Sequence, residues 1–320
     1  MTDTINSPVF PANNDPFGPF IEQLKPQNSL YCFSTLAAPW GLALPAMPGR
    51  LMLHVVMSGD CLITTETSQL ALSAGALVLI PHGKGHSLKS AAHVRDVPFF
   101  DSGVKQLSPN LEVLDIPGSG ETTKLICSVV SFDPLIGHYL LDQLPEVICL
   151  TADDYQDQAW LTSTLELIKR EATDLAAGSE TIITRLAEIM LIQLLRYWLN
   201  NDPLANEGWF AAMRDSRIGA ALKAIHQQPE EKWTVESLAA IACMSRSAFA
   251  ARFTELVGTS AKNYLTEWRL TLAYYQLKSV KVPLIELALN CGYESEAAFS
   301  RAFKRVIGMS PSQVERSTAW

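Results

Sequence analysis

The chain has 320 residues, 48% of them apolar, with six cysteines and a net charge of −8. A chain of that length divides between two cores rather than building on one. Its acidic balance excludes a nonspecific nucleic-acid coat and a binder of anionic membranes. The charge is uneven, however: residues 216–320 hold 13 Lys and Arg against 9 Asp and Glu, a net of +4, and the remainder holds 12 against 24, a net of −12. Such asymmetry points to a nucleic-acid-binding end with a different task elsewhere.

Residues 1–28 are rich in Pro, Asn and Asp and read as an extended or disordered lead-in. They show no basic region followed by an apolar one, so no signal peptide is expected. From 29 to 155 short apolar runs such as LMLHVVMSG, DCLITTETSQLALSAG, ALVLIPHG and TKLICSVVSFD are divided by Gly, Pro, Asp and Ser. Tight turns are expected at Gly59-Asp60 and Ala74-Gly75. This pattern predicts short antiparallel strands closed into a small β-barrel or jelly roll. The cysteines (Cys32, Cys61, Cys127, Cys149, Cys243 and Cys291) form no C-x-x-C pair, which in a long chain reads as reduced thiols in the cytoplasm.

From 156 to 205 the period lengthens into two helices, the first stopped at Gly178 and the second at 201–203. The second carries a stripe of Ile182, Leu186, Ile189 and Met190, then apolar residues around most of its circumference. Packing on its own sheet domain or a homodimer interface would account for that surface. Its most apolar part, 186–199, is too short to span a bilayer and contains Glu188, Gln193 and Arg196, so no membrane association is expected. Residues 201–217 read as a linker.

Everything after Ile218 reads as helix, and the last hundred residues repeat themselves. Leu238-Ala239 answers Leu287-Ala288, and Cys243-Met244 answers Gly292-Tyr293. Ser245 answers Ser295, Phe249 answers Phe299, Phe253 answers Phe303 and Gly258 answers Gly308. The offset is 49 before the turn and 50 after it, with Glu294 the extra turn residue. Each copy is a helix, a short turn and a longer helix, a helix-turn-helix unit. Ser245 and Ser295 are N-cap candidates, and Gly258 and Gly308 are left-handed C-terminal residues. At helical spacing Phe249, Phe253 and Leu256 share one face, as do Phe299, Phe303 and Val306, and these faces are core.

The opposite faces are the candidate DNA surface. In the second copy Ala297, Ser300 and Arg301 face the bases, and Lys304 and Arg305 suit phosphates. In the first copy Arg246, Ser247 and Ala250 take the base-facing positions, with Ala251 and Thr254 beside them, and Arg252 suits a phosphate. Arg301 is the leading base reader, because an arginine fork matches guanine.

The segment 216–320 resembles the DNA-binding domain of the AraC/XylS family of transcription regulators. The second copy carries that pattern in Ala288, Gly292, Tyr293, Ser295, Phe299, Arg301, Phe303, Lys304, Gly308 and Pro311. The resemblance implies two recognition helices in successive major-groove segments of double-stranded DNA, joined by a long helix over NYLTEWRLTLAYYQLKS. It also implies an activator that works with RNA polymerase. The short Ala250 and Ala251 depart from the long polar side chains that family members carry on the first recognition helix.

The N-terminal half is similar to the cupin-type sensor domains of one AraC branch, through GDCLI, LVLIPHGKGH, LICSVVSFD and LPEVICL in that order. A cupin implies histidines near one mouth of the barrel, and His54, His82 and His86 are the candidates for a regulatory metal. The H-x-H pattern with a following Glu is absent, so no catalytic cofactor and no enzymatic activity are expected. The sequence-level reading is therefore an α+β multidomain chain, a DNA-binding regulator controlled by a small-molecule or redox effector. A cupin-type metal enzyme fused to a DNA-targeting domain is the second reading. A DNA-organising protein without an effector is disfavoured by the −8 charge.

Overall fold

The computed structural model describes residues 27–131, 141, 143–155, 159–174, 176–280 and 282–318. All but the last two residues of the lead-in expected over 1–28 lie outside these. Among the described residues the chain forms twelve strands and ten α-helices in two compact units, one ending at Trp198 and the other beginning at Leu199.

The first unit is built on two sheets. The seven-stranded sheet contains β1 (Gln27–Ala37), β3 (Arg50–Ser58), β6 (Leu77–Ile80), β9 (Lys105–Ser108), β10 (Leu111–Ile116), β11 (Thr122–Ser131) and β12 (Ile148–Leu150), in the order β12-β6-β3-β11-β1-β10-β9. The other contains β2 (Gly41–Leu44), β4 (Cys61–Thr64), β5 (Gln69–Leu72), β7 (His86–Lys89) and β8 (Val97–Pro98), in the order β5-β4-β7-β2-β8. The architecture is thus cupin-like, but as two facing sheets rather than one closed barrel. Sequence periodicity fixes the inward faces: Cys61 and Ile63 of β4 are buried while Leu62 and Thr64 are only half-buried. Leu36, Met52, Val56, Val78, Leu114 and Leu125 of the larger sheet meet Leu42, Ile63, Leu72 and Leu88 of the smaller in one core. Both expected turns form, with Gly59 at φ 76° and Gly75 at φ 92°. A side chain at Gly59 would also put its Cβ 2.6 Å from the Thr122 carbonyl oxygen.

Two helices follow, α1 (Ala159–Asp174) and α2 (Ser179–Asn201), separated at Gly178 as expected. The expected stripe on α2 is turned. Ile182 and Ile189 are exposed, while Ile183, Met190, Leu191, Leu194, Leu195 and Trp198 are buried. Ile183 closes a cluster with Tyr31 and Leu111 on the outer face of the larger sheet. Most of the apolar circumference of α2 is therefore consumed within the chain.

In the second unit the expected linker is folded. Residues 208–214 form α3 (Gly208–Arg214), which buries Trp209, Phe210, Ala212 and Met213. The Pro, Asn and Gly around it disguised a short amphipathic turn whose aromatic pair needs a core. The Trp209 indole N–H donates to the Tyr264 hydroxyl at 3.2 Å. Then come α4 (Ile218–Gln227), α5 (Val235–Ile241), α6 (Arg246–Val257), α7 (Ala261–Ser279), α8 (Leu284–Asn290), α9 (Glu296–Ile307) and α10 (Pro311–Thr318). The core runs along α7, where Tyr264 and Trp268 are fully buried and His226 of α4 approaches the Tyr264 hydroxyl at 2.8 Å. Among the described residues no helix is long and apolar enough to cross a membrane.

Candidate nucleic-acid interface

The two repeats fold to the same backbone. Helix α5 begins at Thr234, whose hydroxyl forms a reciprocal capping box with Ser237. The turns after α5 and α8 close with the same bond: the Met244 N–H donates to the Ala239 carbonyl at 2.9 Å, and the Tyr293 N–H to the Ala288 carbonyl at 2.8 Å. Cys243 and Gly292 take left-handed backbones, φ 51° and 84°. The Ser245 and Ser295 hydroxyls then accept from the Ala248 and Ala298 N–H groups, each at 3.3 Å, and start α6 and α9. Gly258 and Gly308 end them at φ 81° and 85°.

The inward faces agree with the periodicity. Phe249, Phe253, Phe299 and Phe303 are all fully buried, with ring centroids 5.5 Å apart in the first pair and 5.4 Å in the second. Leu256 and Val306 are half-buried, and Ala302 and Ile307 complete the inward face of α9.

The outward faces differ in their charges. On α6, Arg246, Ser247, Ala250, Ala251 and Thr254 are exposed. The Thr254 hydroxyl folds back onto the Ala250 carbonyl at 2.9 Å. The Arg246 Nε sits 2.9 Å from a Glu236 carboxylate oxygen. Arg252 bonds Asp215 at 3.3 Å and Glu255 at 3.0 Å. Asp215 in turn accepts from the Arg217 and Ile218 N–H groups at the start of α4. Burial works against its charge, but those bonds and Arg252 outweigh it and hold its carboxyl below the usual range. Arg252, expected at a phosphate, thus ties α6 to the start of α4 while its side chain stays 42% exposed. On α9, Ala297, Arg301, Lys304 and Arg305 are exposed and Ser300 is half-buried. Arg301, Lys304 and Arg305 form no ion pair or side-chain hydrogen bond with a described residue. Asp215 and Glu236 escaped the sequence reading because each lies on a different helix or loop from the arginine it binds.

The three candidate histidines do not all converge. The His54 Nε2 lies 2.7 Å from the His86 Nε2, joining the two sheets through the core, while the His82 Nε2 donates to the Leu144 carbonyl at 2.9 Å. The Lys84 carbonyl, 3.3 Å from the His86 Nδ1, fixes that nitrogen as a donor. A neutral His86 then accepts at Nε2 from the His54 Nε2–H, and the His54 Nδ1 accepts from the Cys127 thiol at 3.0 Å. Burial, then the other imidazole, pushes the His54 pKa well below its ordinary value, and burial lowers that of His86. Both rings are therefore neutral near pH 7. Among the described residues no three His, Cys, Asp or Glu side chains are grouped to hold a metal ion. The contact of Cys127 with His54 was not legible, because its place between Cys32 and His54 follows from cross-strand register, which is non-local. Burial raises the thiol pKa of Cys32 to about 11, that of Cys61 to about 12 and that of Cys127 well above the ordinary value. These thiols stay protonated and are weak nucleophiles.

Comparison with known families places this geometry. A family described as Cupin matches residues 15–200, and one described as Helix-turn-helix domain matches residues 238–317. A putative AraC-like transcription regulator of Streptomyces lividans is 32% identical over 94% of this chain and 98% of its own. The HTH-type transcriptional regulator AlkR of Acinetobacter baylyi is 30% identical over 95% of this chain and the whole of its own. The DNA-binding domain of AdpA, solved in complex with a target DNA, is 31% identical, covers 31% of this chain and 88% of its own, and superposes with a TM-score of 0.29. Two helix-turn-helix units behind a cupin-like domain, shared with relatives along nearly the whole chain, make this protein a member of the AraC family of DNA-binding transcription regulators.

Proposed function

We propose that α6 and α9 enter successive major-groove segments on one side of a DNA duplex, with sequence read mainly by α9. The observation that carries this reading is the pair Arg301 and Lys304: exposed, unpartnered and on the side of α9 away from Phe299 and Phe303. Arg301 lies in the first half of its helix, where base edges are approached, and its fork suits guanine. Ala297 and Ser300 are small enough to let the helix come close. Lys304 and Arg305 hold phosphates. The first helix-turn-helix unit, whose Arg246 and Arg252 pair with carboxylates, contributes mainly shape and close approach through Ser247 and Ala250.

The cupin-like unit is the sensor, and a small-molecule effector suits it better than a thiol-based signal, because its buried thiols are held protonated. A metal enzyme on a DNA-targeting tail fits poorly, since His54 and His86 spend their Nε2 atoms on each other. Self-association through Ile182 and Ile189, exposed two turns apart on α2, would give the homodimer. Activation through RNA polymerase follows from family resemblance. The test is hydroxyl-radical footprinting of the full chain on duplexes it selects from a random library. Two protected segments about one helical turn apart are expected; a single short footprint per chain would refute the two-helix reading.

A further inference from the structure

The two helix-turn-helix units both pack on α7, and a reader of two groove segments must hold its recognition helices at one distance and one rotation. Arg269, the only basic residue between Tyr264 and Gln276, stands near the middle of α7 and points its guanidinium across the seam. Its Nε donates to the Pro229 carbonyl and its Nη2 to the Glu231 carbonyl, both in the turn between α4 and α5 of the first unit. Its Nη1 donates to the carbonyl of Cys291, the residue that ends α8 in the second unit, at 3.3 Å. The Cys291 thiol returns a bond to the Arg269 carbonyl at 3.5 Å. No carboxylate pairs with it among the described residues. Its hydrogen bonds go to main-chain oxygens from both units, with the Glu230 carboxylate acting only at longer range.

Two further features describe the seat of this fork. Gly292 lies against it: a Cβ there would be 2.9 Å from the Arg269 Nη1, so a side chain would push the guanidinium from its seat. Beside Arg269 the turns are not packed together. An open cleft of about 210 Å³ there is lined by Pro229 and Glu230, by Asn290 and Cys291, and by Leu272 of α7. On this side of α7 the guanidinium bonds to both units.

We propose that Arg269 is a positioning residue that sets the spacing and phase of the two groove segments the protein accepts. A planar guanidinium with five fixed donors holds three carbonyls in one plane, whereas an ammonium on a flexible stem holds one point. With the fork removed, the units sample several angles about α7, and only the fraction in register binds the preferred duplex.

This inference rests on the two-helix reading above, and the test separates the two. The probe is a duplex selected from a random library by the wild-type full chain, together with derivatives carrying one or two base pairs inserted or deleted between the protected segments. Each inserted pair moves the segments about 3.4 Å apart and rotates them about 35°. The wild type should lose affinity steeply at every change of spacing. Arg269→Gln should bind the preferred duplex about tenfold more weakly, as expected if the competent arrangement falls to about a tenth of the population, and should bind the altered spacings nearly as well as the original. Arg269→Lys, which keeps charge and stem, should show the same flattened profile and carries the test if Arg269→Gln does not fold. A wild-type-like steep profile, shifted uniformly to weaker binding in both variants, would overturn the role of Arg269 alone. A flat wild-type profile would overturn the two-helix reading and this inference with it.

Discussion

The two helix-turn-helix units share a backbone almost residue for residue and share little of their outward chemistry. Both have a serine N-cap, a left-handed glycine end, a buried pair of phenylalanines and the same turn-closing bond. Yet the cations of α6 are bound to Glu236, Asp215 and Glu255, while those of α9 face solvent unpaired. Folding constrains the caps and the inward face alike in both copies, because an unsatisfied helix end or a cavity costs stability wherever it occurs. The outward face carries no such constraint and is free to specialise. On the reading proposed above, the second unit reads sequence and the first acts mainly as a scaffold.

The largest effect expected is one that treats the units equally. Phe253→Ala and Phe303→Ala each empty a fully buried site, and each should cost about 3–5 kcal/mol, measured by urea unfolding of the full chain. A large cost in one unit and a negligible one in the other would break the equivalence of the two cores. Next comes the effect that should separate them. Arg301→Ala should lose about 1–3 kcal/mol of discrimination between selected and scrambled duplexes, while Arg246→Ala should change that discrimination little. Competition titrations measure both. Equal losses of discrimination would show α6 reading bases as α9 does. Lys304→Ala comes third: it should weaken binding to all sequences and reduce the slope of log affinity against log salt by about one. An unchanged slope would remove the phosphate contact assigned to it.

How much of this was legible in the sequence follows the range of each interaction. The repeat, its caps and its glycines are local signals, and the offset of 49 then 50 reappears in the helix bounds, with α5 at 235 and α8 at 284, α6 at 246 and α9 at 296. The buried phenylalanines followed from helical spacing. What stayed hidden was non-local or disguised. The pairing of Arg252 with Asp215 spans 37 residues, and His54 meets His86 only through the facing of two sheets. Helix α3 hid among linker-type residues although Trp209 and Phe210 marked it as core. Arg269 left the faintest trace, because its partners are backbone carbonyls, which every residue carries.

The smallest effect tests the strap on the first unit. Asp215→Asn removes a charge but keeps an oxygen for the Arg217 and Ile218 N–H groups, so the start of α4 should hold. Arg252 keeps Glu255 at 3.0 Å, and Glu255→Gln in the same chain would release it fully. Because the Asp215 carboxyl is held below its usual range, its contribution to stability is complete at neutral pH. That contribution is lost only as the pH falls below about 4 and through the lowered value. The double variant should therefore lose some stability at pH 7 and show a smaller further loss on acidification than the wild type. Its freed guanidinium adds a cation to the first unit, so the salt slope for random duplex should rise by at most about one. That is the reverse of the change expected for Lys304→Ala. A loss of stability with an unchanged slope would mean that the Arg252 side of α6 faces away from the DNA backbone, leaving phosphate contact to α9 and its neighbours.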